Sequence, residues 1–261
     1  MKIFPLGTSG FIPNATRETS SVLIKNDNSF FLFDAGTGIK RLAEKKIDSL
    51  ISKADKMHLF FSHLHHDHTA GLTWLLRLFR GKLYIYVPEP PLVEFNGKEI
   101  IMSLTSPHMF GLPFMKWQNY GGLISYTEKK IDIDNTTIHI LPQSHHGGSV
   151  GLRLGNFAYI TDTEPSDEHL DFIQDCELVF IDTMHDRKDY EALNLNNNKR
   201  AEHGWSVGNG KIAMKSKIKQ LGLIHIDPFY NSKRLKTLHK EAKQEFSNVI
   251  IPQEGESYSL K

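Results

Sequence analysis

The chain has 261 residues, with 31 Lys plus Arg against 30 Asp plus Glu, a formal charge of +1. Hydrophobic residues make up 39% and charged ones 23%, which excludes disordered, collagenous and coiled-coil classes. The near-zero charge removes the usual footprint of a dedicated nucleic-acid binder but leaves room for a local basic patch.

From the N-terminus, strand-like runs occur at Lys2 to Leu6, Ser20 to Lys25 and Phe30 to Phe33, the last ending in Asp34-Ala35-Gly36. A helix is expected from about Gly38 to Ile51, a buried strand at Met57 to Phe61, and a second helix at Thr69 to Arg80 with Leu72, Leu75, Leu76 and Phe79 on one stripe. Lys82 to Val87 reads as a strand. The segment from Pro88 to Tyr126 is the least regular; Met102, Phe110, Phe114, Met115, Trp117 and Tyr120 lie there among Gly and Pro, as in a lid, a contact surface or a loop with its own small core. Strands follow at Ile131 to Leu141, Ser149 to Leu154, Phe157 to Thr161 and Leu178 to Asp182. Helices are expected at about Ser206 to Leu221 and Lys233 to Phe246, before a strand at Asn248 to Ile251.

Strands and helices thus come in two successive series, with no internal repeat, no linker and no low-complexity tract beyond Asn196-Asn197-Asn198. One domain over residues 1–261 is expected. The lone Cys176 excludes an internal disulfide and fits a reducing compartment. The opening Met1 to Gly10 breaks into Gly and small polar residues before a signal-peptide core could form, and no run nears the roughly 20 apolar residues of a spanning helix. A soluble, cytoplasmic protein with no membrane partner is the expectation.

The chain is rich in histidine, 14 in all, and these are bunched. Ser62-His63-Leu64-His65-His66-Asp67-His68 directly follows the strand Met57 to Phe61, so the cluster sits in a loop at a strand's carboxyl end. Imidazole and carboxylate are ligands for zinc, manganese or iron, and a strand-end loop lets closely spaced side chains converge. A structural role would leave so many ionisable groups solvated at a sheet edge for no gain.

These residues resemble the metallo-β-lactamase fold hydrolases, in particular the branch containing ribonuclease Z and the cyclic-phosphate phosphodiesterases. The resemblance also rests on Leu6-Gly7-Thr8-Ser9-Gly10, Phe33-Asp34-Ala35-Gly36, Ser144 to Gly151, Thr161-Asp162-Thr163-Glu164 and Leu223 to Pro228. It implies an α+β fold, a four-layer αββα sandwich, and two divalent ions, with zinc expected and manganese or iron as alternatives. His63, His65 and His145 would hold one ion, Asp67, His68 and His225 the other, and Asp162 would bridge them. His145 is preferred to His146 because it keeps the family's spacing to Gly147-Gly148. His66 is left free by the pattern. The catalytic residues implied are Asp67, also a ligand, and His203, whose family counterpart protonates the leaving oxygen; the spacing departs here, with Gly204 and Trp205 before Ser206. Asp182 resembles a family Asp that supports the ligands.

Two ions bring a charge of +4, which two carboxylates reduce to +2, favouring hydroxide and an anionic substrate. The remaining histidines, His58, His139, His169 and His239, fall within strand or helix patterns and read as structural or exposed, with His108 and His185 intermediate. Gly208-Asn209-Gly210-Lys211 lacks the context of a phosphate loop.

The activity expected is that of a phosphodiesterase acting on a small nucleotide or phosphate ester, cyclic ones included, because the Pro88 to Tyr126 segment is no basic arm for gripping transfer RNA and the net charge is only +1. Nucleic acid is disfavoured without being ruled out, and a homodimer stays open. The rivals are a ribonuclease Z-type nuclease, a thioesterase or lactonase, and, last, a non-enzymatic ligand-sensing module.

Overall fold

The computed structural model describes residues 1–111, 113–195 and 202–261; the Asn196-Asn197-Asn198 run lies outside them. The described residues divide into two compact units, Met1–Thr127 with Gln253–Ser259 and Lys261, and Glu128–Pro252 with Leu260.

The first unit carries β1 (Lys2–Gly7), β2 (Ser21–Asn26), β3 (Ser29–Phe33), α1 (Lys45–Ile51), β4 (Lys56–Phe60), α2 (His66–Thr69), α3 (Leu75–Leu78), β5 (Lys82–Pro88), α4 (Gly97–Leu104), α5 (Pro107–Phe110) and β6 (Tyr120–Tyr126). The short strand Tyr258–Ser259 pairs with β1 and opens a seven-stranded sheet that continues through β1 to β6 in chain order. Pairing is antiparallel as far as β3 and parallel from β3 to β6. Leu6, Leu23, Leu32, Leu59 and Ile85 form one core with Ile39, Leu42, Ile47, Leu72 and Leu75. Their register neighbours Ile3, Val22, Phe31, Phe33 and Phe60 are also fully buried. Strands buried on both faces read as continuous apolar runs, which is why they are visible in the sequence.

The second unit carries β7 (Lys130–Ile133), β8 (Thr136–Gln143), β9 (Ser149–Leu154), β10 (Phe157–Ile160), α6 (Glu168–Phe172), β11 (Leu178–Asp182), α7 (Arg187–Leu195), α8 (Ser206–Lys215), β12 (Gln220–Ile224), α9 (Ser232–Glu245) and β13 (Val249–Ile250). Its sheet runs β7 to β13 in chain order, antiparallel to β10 and parallel beyond. Ala158, Val179, Ile181, Leu221 and Leu223 pack with Ile212, Ala213, Leu238 and Ala242 of α8 and α9. A Cβ on Gly210 would sit 2.7 Å from the Ala242 carbonyl oxygen, so the Gly208 to Lys211 stretch lies in a helix whose glycine permits close packing. Among the described residues no helix is long and apolar enough to cross a membrane.

The two mixed sheets with their helices are the α+β class expected. Several elements differ in extent. The helix expected from Gly38 to Ile51 is a 3-10 turn, Thr37–Ala43, and then α1, because Glu44 between them is extended. The helix expected over Thr69 to Arg80 is broken into short turns: Gly71 donates its N–H to the Ala35 carbonyl, and a Cβ there would lie 2.5 Å from the Gly36 oxygen. Ile131 to Leu141 is a hairpin, turned at Asp134 with φ +52°. The helix expected to Leu221 stops at Lys215. Within the irregular middle segment Trp117 is buried against Phe110, ring centroids 5.4 Å apart, while Met109 and Met115 are exposed. β6 went unseen because Gly121 and Gly122 interrupt its pattern; Gly121 is required where the Leu83 oxygen would lie 2.8 Å from a Cβ.

His169 in α6 is one of the structural histidines. Its Nδ1 accepts the Ser166 N–H at 3.0 Å, and its Nε2 lies 3.1 Å from the Gln143 amide. Burial holds its pKa down at about 4. The folded state therefore favours the neutral ring: its contribution is present above the unfolded value of 6.5 and is lost as the pH falls from there toward 4. Between pH 7 and pH 4.5, H169N should lose less unfolding free energy than the parent, by up to roughly 3 kcal/mol in denaturant titrations; equal losses would remove this role from His169.

Candidate metal centre

In the first unit the parallel strands β3 and β4 deliver Asp34 and the histidine loop to the same edge of the sheet. Asp34 is fully buried and follows β3 with φ +58°. Its carboxylate accepts the Ser62 N–H at 2.7 Å and the Ser62 hydroxyl at 2.7 Å, and it bonds His68 Nδ1 at 2.7 Å. A buried carboxylate so placed fixes the proton on Nδ1 and turns the Nε2 lone pair outward, as in carboxylate–histidine–metal arrangements. Backbone contacts tighten the grip. Ala35 donates its N–H to the His68 carbonyl at 2.8 Å, and a Cβ on Gly36 would lie 2.2 Å from the Asp67 carbonyl oxygen. Only glycine fits there.

The imidazoles of His65 and His68 lie 4.5 and 4.3 Å from that of His63, centroid to centroid. His68 Nε2 is 3.4 Å from Asp67 Oδ2, and the same oxygen accepts the Phe11 N–H at 2.9 Å. His63, Asp67 and His68 are buried, whereas His65 and His66 are exposed. Four of the seven expected donors are thus gathered on this unit. His66 takes no part in these contacts.

In the second unit β10, β11 and β12 run parallel and end at one edge. Asp162 lies just past β10, Asp182 closes β11, and His225 follows β12. Asp162 Oδ1 is 3.4 Å from His225 Nε2, 3.7 Å from His145 Nε2 and 3.9 Å from His203 Nδ1. Asp182 is fully buried; its Oδ2 bonds His203 Nδ1 at 2.7 Å and lies 3.6 Å from His225 Nδ1. Asp162, Asp182, His203 and His225 each offer a ligand atom within 4.8 Å of the others, but Asp182 is committed to the Nδ1 side of the imidazoles and to the Met184 N–H at 3.0 Å. It orients donors. His146, next to His145, is exposed.

Burial works against a charge on His203, but Asp182, and after it Asp162, outweigh burial and raise its pKa. Asp182 is lowered in turn, burial being outweighed by His203 and His225. His203 reaches Asp182 because Gly204 follows it: a Cβ there would lie 1.9 Å from the Asp182 carbonyl oxygen. Asn209 donates to that same oxygen at 2.6 Å. The Gly204-Trp205 insertion that set this sequence apart is therefore built in, with Trp205 stacked on Tyr190 at 4.3 Å.

Of the other histidines, His58 is stacked between Phe31 and Tyr84, His239 bonds the Val249 carbonyl, and His139 and His108 are exposed. His185 comes within 6.3 Å of His203, ring to ring. The sequence reading passed over Asp34 and Ser62 as site residues. Their one signal is the Asp-Ala-Gly turn after a strand.

A protein-family model described as a β-lactamase superfamily domain matches residues 30–226. The chain belongs to that superfamily. A ribonuclease Z of Haloarcula marismortui is 38% identical over 157 residues, 59% of this chain; there the chain spans about half of its relative, 47%. A ribonuclease Z of Picrophilus torridus is 27% identical over 97% of this chain and 94% of its own length. Among solved structures, the metallo-β-lactamase fold protein YhfI from Bacillus subtilis aligns over 98% of both chains with a TM-score of 0.75 and 20% identity. The fold is the metallo-β-lactamase fold, and the protein is a metal-dependent hydrolase.

Replacing the Asp34 carboxylate should loosen the first donor set without unfolding the sheet. D34N should lower metal affinity by about 10- to 100-fold in chelator competition; parental affinity would show that Asp34 does not orient His68 for a metal.

Proposed function

We propose that the protein is a ribonuclease Z-type phosphodiesterase acting on RNA, and that its two units form one catalytic domain. In this reading His63, His65 and His145 hold one divalent ion, Asp67, His68 and His225 hold a second, and Asp162 is shared. Five imidazoles and two carboxylates suit zinc, with manganese or iron next; an all-oxygen set would suit magnesium or calcium instead. Bound there, two divalent ions would supply the positive charge that acidifies a water near neutral pH and offsets the charge of a phosphodiester.

The observation that carries the reading is His203, held at 2.7 Å by buried Asp182 and 3.9 Å from Asp162. With Nδ1 tied to Asp182, the charged ring would carry its transferable proton on Nε2, and Asp182, with Asp162 after it, favours that charged form against the cost of burial. A ribose alkoxide is a poor leaving group and needs this proton, whereas a thiolate leaves without one. Phosphodiesters are therefore preferred to thioesters. The names of the relatives support RNA over the small phosphate ester expected from the sequence, and a net charge of +1 is compatible with RNA where cations are concentrated on one face.

The panel that tests this is metal analysis with turnover of a transfer-RNA precursor, bis(p-nitrophenyl) phosphate, a thioester and a lactone. Two ions per chain and cleavage of the RNA are expected; turnover of the acyl substrates alone would overturn the reading. D162A should lose metal and activity together. H203A should keep its metal but cleave RNA about 100-fold more slowly or worse, and unaltered kcat would return His203 to a structural role.

A further inference from the structure

α9 separates its side chains cleanly by face. Leu238 and Ala242 enter the core. Lys233, Lys236, Lys240 and Lys243 fall on a single exposed stripe, spaced three, four and three residues apart. At 1.5 Å per residue the stripe is about 15 Å long. None of the four lysines is tied up in an ion pair with a described residue. The acidic side chains of the helix lie off the stripe, and Glu241 accepts hydrogen bonds from Ser206 and the Arg187 N–H.

The stripe begins just after the loop that leads out of the metal centre. His225 is followed by Ile226-Asp227-Pro228-Phe229, and Phe229 is 82% exposed. This is costly for a large aromatic side chain, and the loop that presents it is firmly held. Asp227 accepts the Phe229 N–H at 2.8 Å. Tyr230 bonds Asp189 at 2.7 Å and lies under the Arg234 guanidinium. Asn231 caps α9 through the N–H groups of Lys233 and Arg234. Along the chain the order is metal donor, exposed aromatic, lysine track. An aromatic platform for a base with a row of cations for the backbone is how proteins hold single-stranded nucleic acid without reading its sequence.

We propose that Phe229 and the Lys233, Lys236, Lys240 and Lys243 face of α9 form a docking track for the RNA backbone, leading from the metal centre. The inference rests on the RNA reading above. Phe229 stacks on a base near the scissile bond, and the lysines neutralise successive phosphates.

The test is steady-state cleavage of a transfer-RNA precursor by the metal-loaded protein across a potassium chloride series. The parent is compared with a variant in which all four lysines are replaced by glutamine and with F229A, thermal melting by circular dichroism serving as the check on folding. Loss of four phosphate contacts should flatten the slope of log(kcat/KM) against log salt by about 3, from roughly 0.7 per contact on a single strand. KM should rise at least tenfold while kcat stays within about twofold. F229A should raise KM about tenfold with the salt slope unchanged. Parental KM and slope in both variants overturn the track and leave the RNA reading standing. A parent that cleaves bis(p-nitrophenyl) phosphate but no RNA overturns the RNA reading, and the track with it.

Discussion

Left-handed backbone at three strand ends is the constraint on which the donor sets depend. Asp34 after β3, Asp162 beyond β10 and His225 after β12 have φ of +58°, +53° and +53°. Residues with a Cβ hold such conformations at a cost of about 1 to 3 kcal/mol each, and only where the surroundings over-determine them. The two units do this in the same way. Ser21, at the start of β2, donates its hydroxyl to the Asp34 carbonyl at 3.0 Å, and Ser149, at the start of β9, donates to the Asp162 carbonyl at 3.0 Å. In each case an antiparallel neighbour pins the turn that swings a carboxylate off the sheet edge.

From that geometry the electrostatics follow. Asp34 and Asp182 are fully buried and bond the Nδ1 atoms of His68 and His203. Buried carboxylates are costly unless they are paired and hydrogen-bonded, and both meet that condition by fixing imidazoles whose other nitrogens are then turned outward. Donors fixed in tautomer and direction need little reorganisation when an ion or a substrate arrives.

Among the metal-donor candidates, His145, Asp162 and His225 came from the resemblance of their surrounding motifs to a known family, whereas His63, His65, Asp67 and His68 were legible because their signal is local, within one loop. The two sheets were legible for the same reason, as short buried strands in two series. What escaped was non-local. The break at Glu44 lies where Arg41 bonds both Glu44 and Glu254; Glu254 also accepts the N–H groups of Thr8 and Glu18, and nothing near residue 40 announces a partner more than 200 positions away. The broken helix after Thr69 answers to Gly36, and β6 to the approach of Leu83. Asp34 stands in a recognisable Asp-Ala-Gly turn, but its role at the site exists only once Ser62 and His68 fold back onto it.

The even charge balance hid a surface feature in the same way: a total of +1 says nothing of the four lysines that α9 gathers on one stripe. The account as a whole stands or falls on whether the two donor sets share a pair of ions. Anomalous diffraction from crystals of the metal-loaded protein at the zinc edge measures this directly. Two peaks are predicted, one bounded by His63, His65 and His145 and the other by Asp67, His68 and His225, with the Asp162 carboxylate touching both. A fully loaded crystal with no peak among these side chains, or with its metal elsewhere, would contradict it.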